Sequence, residues 1–188
     1  YRKIDIFKKH GIDRREEMFN KEQRIGSWIY EMEGMGFNYR ITDFQAALGL
    51  SQLKKLDQFK ARRREIVNYY NDCFSDIDEL ILPYEDRNTE SNFHLYILQV
   101  KKNPKFDRYG LFIFLQSLNY APMVHYIPVH LLKYYRERFG FKIGDYPIAE
   151  RFYEQAVSIP LYPSLTDTEV EKVVNDIKGY IASLWLKH

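Results

Sequence analysis

Cysteine is nearly absent from this 188-residue chain, with Cys73 as the single thiol. One thiol cannot close an intrachain disulfide, which excludes a disulfide-stapled scaffold and points to a reducing, cytoplasmic setting. Cys73 itself reads as a small apolar filler on a helix. Long apolar runs are also missing. None approaches the ~20 residues of a helical membrane span, and the first residues do not read as a signal peptide. No membrane partner is therefore expected. Net charge is small, since 28 Lys and Arg face 26 Asp and Glu. A balance of +2 supplies no global field for nucleic acid. The chain contains no P-loop, no Gly-x-Gly-x-x-Gly, no Gly-x-Ser-x-Gly and no cysteine pair.

What remains is rich in apolar and aromatic residues. Hydrophobic residues make up 45% of the chain, enough to bury a core over one domain or one and a half. The 16 Tyr and 13 Phe suit sites that combine apolar contact with a hydroxyl, although a Tyr- and Lys-rich background composition explains them as simply. The chain opens on Tyr1-Arg2-Lys3 in mid-pattern, so its first residue is expected to be a cut or processed end.

Residues 1–10 read as the end of a helix stopped by Gly11. Residues 12–35, with Trp28, Tyr30 and Gly34, lack periodicity and read as a long loop. Thr42-Asp43-Phe44-Gln45 is a capping box. It predicts one long helix to about residue 75, with Leu50, Leu53, Leu56 and Phe59 on one stripe and Ile66, Tyr70 and Phe74 continuing it. Phe93 to Val100 reads as a buried strand, Asp107 to Leu118 as a helix capped by Asp107, and Met123 to Tyr126 as a short strand. Pro147 starts a helix to Ala156. Thr166 to Glu169 is a second capping box, before a stripe of Val170, Val173, Val174, Ile177, Ile181 and Leu184. The fold class expected is α+β: a small mixed or antiparallel sheet with helices on one face, entered by the long helix.

Four constellations could carry chemistry. Asn38-Tyr39-Arg40 precedes a capped helix, where an amide, backbone N–H groups and a guanidinium could hold a phosphate. The same loop could equally cap its own helix, with Arg40 pairing to a local acid. Val124-His125-Tyr126-Ile127-Pro128-Val129-His130 places two histidines and a tyrosine about a proline turn. Those groups could donate hydrogen bonds or move protons, or sit as satisfied structural histidines. No acid or cysteine stands at ligand spacing there, so no metal site is expected. His94 and Tyr96, two apart on the predicted strand, would share a face. The basic run Lys54, Lys55, Lys60, Arg62, Arg63 and Arg64 is interleaved with Asp57 and Glu65 and reads as a solvated helix face.

Five stretches, in order, resemble the DegT-type sugar aminotransferases. They are Gly36 to Ala47, Gln52 to Asp57, His94-Leu95-Tyr96, Val124 to His130, and Ser158-Ile159-Pro160-Leu161-Tyr162-Pro163-Ser164-Leu165-Thr166. The His-Tyr-Ile-Pro-Val-His form followed by Tyr134-Tyr135 most resembles the pseudaminic-acid branch of that family. The resemblance implies a pyridoxal 5'-phosphate (PLP) enzyme of fold type I, a homodimer, that moves an amino group from glutamate to a UDP-linked 4-keto-6-deoxy sugar for cell-surface polysaccharide. It implies that Asn38 reaches a partner subunit's PLP phosphate, that Tyr39 and Arg40 shape the same mouth, and that His125, Tyr126 and His130 line the sugar-nucleotide site. It also implies a division into 1–41, the end of the large PLP domain with the phosphate and dimer loop; 42–76, a linking helix; and 77–188, the small C-terminal domain.

The chain departs from the family in two places. The family's Schiff-base lysine sits in a Ser-x-Lys segment followed by Gly-Glu-Gly-Gly, and no such segment occurs in these 188 residues. Without that lysine and the acid that partners the pyridinium nitrogen, the chain alone is expected to be inactive, with no catalytic residue of its own. Asn119-Tyr120-Ala121 also stands where the family commonly has a glycine-containing turn. Two alternatives remain open at this level: a free-standing ligand-binding or interaction domain, and part of a sugar dehydratase of the same family.

Overall fold

The computed structural model describes residues 1–13 and 30–186, so Trp28 and most of the predicted 12–35 loop lie outside the described residues. The chain divides into two compact units, Tyr1–Lys55 and Leu56–His188.

In the first unit, α1 (Arg2–Phe7) stops much as its sequence suggests. His10 and Gly11 take left-handed conformations at φ 64° and 74°, and the Gly11 N–H donates back to Ile6 O at 2.9 Å. Two short strands follow, β1 (Ile12–Asp13) and β2 (Glu31–Met32), paired antiparallel with Ile12 opposite Met32. They fall inside the stretch expected to be loop, and two-residue strands are too short to show a period of two. Residues 33–41 lead into α2 (Asp43–Leu53), whose Thr42–Gln45 capping box is fully formed.

The predicted long helix is broken. After α2 the chain turns at Lys54 and Lys55, and α3 (Leu56–Phe74) begins a new helix. The ladder lengthens there, with Lys54 N–H to Leu50 O at 3.3 Å, and then tightens to a three-residue closure, Lys55 N–H to Gln52 O at 3.0 Å. The apolar stripe does not survive the break as a buried face. Leu50, Leu53 and Leu56 are exposed and α2 buries no residue, whereas Ile66, Val67, Tyr70 and Phe74 of α3 are buried.

The second unit is α+β. Its sheet has the order β3 (Leu80–Ile81), β4 (Tyr96–Val100), β5 (Ala156–Ile159), antiparallel throughout. Tyr96 pairs with Ile159 and Leu98 with Val157. Tyr96, Leu98 and Val100 alternate into the core, where α3, α4 (Arg108–Ser117) and α7 (Asp167–Leu186) supply Tyr70, Leu111, Leu115, Val173 and Ile177. The α7 stripe is buried from Val170 to Ile181 as its 3.6-residue period requires. Cys73 packs against this core, half-buried on α3.

Further differences concern ends and short elements. The strand predicted from Phe93 starts only at Tyr96, because Phe93 sits at φ 42° and turns the chain before pairing begins. His94 is therefore exposed while Tyr96 is buried, and the two do not share a strand face. The Met123–Tyr126 strand reduces to a single bridge between Met123 and Ser158. A 3₁₀ turn at Val129–Leu131 leads into an unexpected short helix, α5 (Lys133–Phe139), closed by Gly140 at φ 74° and followed by α6 (Pro147–Gln155). At the departure noted at Asn119, the asparagine adopts φ 62° after α4. It supplies the left-handed residue that a glycine would otherwise provide.

The basic run is largely engaged. Arg62 donates to Leu165 O at 2.7 Å and to Asp167 at 2.6 Å, tying α3 to the start of α7. Arg64 clasps Glu85 through both terminal nitrogens, at 2.7 and 3.0 Å, and donates to Ser91 O. The Arg64 guanidinium, helped by the Ser91 N–H, holds the Glu85 carboxyl at about 2, below its ordinary 4.5. A depressed carboxylate stabilises the fold above its unfolded value and loses that contribution as pH falls through the folded one. The gap in apparent Tm between the wild type and Glu85→Gln is thus expected to be full above about pH 4.5 and gone near pH 2. A thermal-melt series over that range checks it. A gap that is independent of pH would assign the effect to packing instead.

Candidate functional site

Each unit contributes one group of the singled-out residues, Asn38–Arg40 in the first and His125–His130 in the second.

In the first, backbone bonds hold the Gly36–Arg40 loop against the chain that follows α1. Phe37 N–H donates to Phe7 O at 2.7 Å, His10 N–H to Phe37 O at 3.0 Å, and Tyr39 N–H to Lys8 O at 3.0 Å. Glycine is required where these segments meet. A Cβ on Gly36 would lie 2.6 Å from Phe7 O and 2.7 Å from the His10 carbonyl carbon, and closer still to Gly11 N. The ring of Phe37 stacks on Tyr39 at 5.0 Å and meets Phe7 edge-on at 5.1 Å. Arg40 Nε donates to Asn38 Oδ1 at 3.1 Å. With its oxygen bonded to Arg40, the exposed Asn38 keeps its NH₂ as a donor, and exposed Arg40 keeps its terminal guanidinium N–H groups. These donors are suited to a phosphate or carboxylate, although Asp5 and Asp13 line the same cavity as Arg40. The α2 start adds the positive end of a helix dipole.

In the second, the half-buried His125 Nδ1 lies 2.8 Å from the hydroxyl of Ser158, on the buried strand β5. The His125 ring meets Tyr126 edge-on at 4.7 Å, and Tyr126 is 73% exposed. His125 and Ser158 help to line a cleft of about 590 Å³ with Tyr120, Met123, Tyr162 and Lys172. Tyr120 donates to Asp176 at 2.7 Å, and Lys172 does the same at 2.7 Å, so the Lys172 charge is already paired, while Glu169 on the same wall accepts from Thr166.

His130 stands apart from His125 in its role. It is 7% exposed, and its Nε2 lies 2.8 Å from Glu150 on α6. Glu150 also accepts from the backbone N–H groups of Gly144 and Tyr146. The His130 hydrogen bond leads in holding the Glu150 carboxyl below its usual range; burial opposes it and the backbone bonds assist. Tyr146 packs on the His130 ring at 4.8 Å. His130 thereby pins the 140–147 turn to the 3₁₀ segment, while Tyr126 faces outward. Sequence reasoning did not single out Ser158 or Glu150. Ser158 lay within the quoted Ser158–Thr166 stretch without a role, and nothing local marks Glu150. No group of three or more His, Cys, Asp or Glu that could hold a metal occurs among the described residues. No helix among them is long and apolar enough to cross a membrane.

The chain as a whole matches known proteins. The model of the DegT/DnrJ/EryC1/StrS aminotransferase family matches residues 1–178. The Bacillus subtilis spore coat polysaccharide biosynthesis protein SpsC is 38% identical over 181 residues, which is 95% of this chain and 46% of that protein. The dTDP-3-amino-3,6-dideoxy-alpha-D-galactopyranose transaminase of Aneurinibacillus thermoaerophilus is 32% identical over 152 residues, covering 80% of this chain and 39% of that one. Among solved structures, Spr1654 of Streptococcus pneumoniae, described as a sugar aminotransferase and seen in its PMP form, aligns with a TM-score of 0.83 at 29% identity. That match covers 98% of this chain and 45% of the other. The chain thus spans less than half the length of these relatives.

Proposed function

We propose, for a chain that belongs to the DegT/DnrJ/EryC1/StrS aminotransferase family, that the whole protein is a PLP-dependent enzyme. It would transfer an amino group from glutamate to a nucleotide-linked 4-keto-6-deoxy sugar. On this reading residues 1–41 close the large cofactor domain and carry the phosphate loop. Residues 42–76 link it to the small domain, 77–188, and the active unit is a cytoplasmic homodimer. The observation that carries the proposal is the exposed donor set of Asn38 and Arg40 on a glycine-locked loop at a capped helix start.

PLP suits these residues because its phosphate is a dianion that needs donors, and the Asn38 NH₂ and the Arg40 guanidinium can supply them. Bound there, it would supply the electron sink that amino transfer needs. This chain's residues would bind and orient. Asn38 and Arg40 would hold the phosphate, and Tyr39, stacked on Phe37, would wall the mouth. His125 and Tyr126 would face the sugar nucleotide, and His130 would brace that wall through Glu150. The lysine that carries the chemistry would come from sequence outside these 188 residues. The choice of a UDP-linked sugar of the pseudaminic-acid type rests on the His125–His130 form and on Tyr134-Tyr135.

The test uses the full-length protein. Asn38→Ala is expected to weaken PLP binding about tenfold or more, the loss of a hydrogen bond to a charged group, with the Tm of the cofactor-free protein unchanged. Equilibrium dialysis of PLP measures it, and unaltered affinity refutes the phosphate role. Incubation with glutamate and a UDP-4-keto sugar should release 2-oxoglutarate. Loss of a sugar hydroxyl without 2-oxoglutarate would identify the dehydratase chemistry instead.

A further inference from the structure

We propose that Ser158 is a positioning residue for the sugar-nucleotide site: its hydroxyl donates to His125 Nδ1 and so presents Nε2–H as a donor toward anionic substrate oxygens. This rests on the reading that His125 faces the sugar nucleotide.

The argument starts from how firmly Ser158 is held. Every residue of β5 is buried, and Ser158 is 6% exposed. On one side it pairs with Ile97 of β4. On the other its N–H donates to Met123 O at 2.7 Å and its carbonyl accepts from Met123 N–H at 3.3 Å. The backbone therefore fixes where Cβ sits, and the rotamer adopted sets Oγ 2.8 Å from the His125 ring. A buried hydroxyl proton needs an acceptor. The acceptor within reach is His125 Nδ1, at 2.8 Å, and Oγ has no other hydrogen-bond partner among the described residues. The proton therefore lies on the serine side of that contact, and Nδ1 offers its lone pair. A neutral imidazole that accepts at Nδ1 carries its proton at Nε2. Nε2 has no protein partner among the described residues, so its N–H is free for a ligand in the cleft that His125 lines. Tyr126, edge-on to the ring at 4.7 Å, limits its rotation.

Without Ser158 the ring could take either tautomer and turn about its bond. The Nδ1–H tautomer would then present the Nε2 lone pair to an anion, which repels it. The substrate recognised through this device is one with phosphate or diphosphate oxygens beside the sugar, not the amino donor.

The experiment is a double-mutant cycle in the full-length enzyme with Ser158→Ala, His125→Gln and the pair. Ser158→Ala is expected to raise KM for the sugar nucleotide roughly tenfold, the scale of one lost hydrogen bond, with KM for glutamate unchanged. In the His125→Gln background the same serine change should have no further effect. Ser158→Thr, which keeps the hydroxyl, should restore wild-type behaviour. Nitrogen-15 spectra of labelled histidine should show His125 protonated at Nε2 in the wild type and a tautomer mixture in Ser158→Ala. If His125→Gln leaves the sugar-nucleotide KM unchanged, the underlying site reading fails. If His125→Gln raises it but Ser158→Ala does not, or does so equally in both backgrounds, the site stands and the positioning role fails. Protonation at Nδ1 in the wild type overturns the role by itself, whether or not a variant folds.

Discussion

Tyr70→Ala is expected to lower the stability of the second unit by about 3–5 kcal/mol, the range for removing a buried aromatic ring. Tyr70 has no exposed surface and lies where three elements meet. Its ring stacks on Phe74 at 5.9 Å and meets Tyr96 of β4 edge-on at 5.0 Å. Its hydroxyl donates to Pro160 O at 2.9 Å, just past β5. Burial raises the ionisation of that hydroxyl far above its ordinary value, so it stays a donor at any working pH. Tyr70→Phe separates the two contributions. It keeps the ring and leaves one carbonyl unpaired, for a loss of about 1 kcal/mol. Denaturant unfolding of both variants reads the difference. Equal losses would mean that the hydroxyl, not the packed ring, holds α3 to the end of β5.

That contact also shows what could be read in the sequence. Ile66, Tyr70 and Phe74 follow helical spacing, and all are buried. The α7 stripe, both capping boxes and the Asp107 cap were legible for the same reason: each is a rule about residues three or four apart. Leu50, Leu53 and Leu56 obey the same spacing, yet they are exposed. Periodicity names the apolar face but not what covers it. The break at Lys54 and Lys55 had no signal because neither residue is a helix breaker; only the altered ladder reveals it.

The candidate site was legible to the extent that its groups are local. Asn38, Tyr39 and Arg40 share one short loop, and reading them as anion donors needed only the helix start behind them. The partners that give His125 and His130 distinct surroundings are distant. Ser158 is 33 residues from His125, and Glu150 is 20 from His130. Those pairings depend on strand register and on the turn before α6, and neither follows from spacing. Two histidines in one motif therefore looked equivalent. One proves half-buried on a cleft wall, and the other buried against a carboxylate.

Gly36→Ala should affect both stability and cofactor retention, which sets it apart from Asn38→Ala. The three atoms nearest the added Cβ are all backbone: Phe7 O at 2.6 Å, the His10 carbonyl carbon at 2.7 Å, and Gly11 N. Rotating a side chain cannot relieve these backbone contacts, so the loop itself must shift. Shifting it breaks the Phe37–Phe7, His10–Phe37 and Tyr39–Lys8 backbone bonds together. The expected loss is about 3 kcal/mol, the upper end of the usual range for overpacking. Displaced Asn38 and Arg40 would also release PLP at least as readily as Asn38→Ala does. Gly34→Ala is the control, since a Cβ there meets nothing within 4 Å. It should melt and bind cofactor like the wild type. Melting curves of the cofactor-free proteins and PLP dialysis on the three full-length variants distinguish the cases. Asn38→Ala should alter binding alone, Gly36→Ala both properties, and Gly34→Ala neither. If Gly36→Ala destabilises the protein yet retains PLP normally, the loop is a structural brace and the phosphate must be held elsewhere.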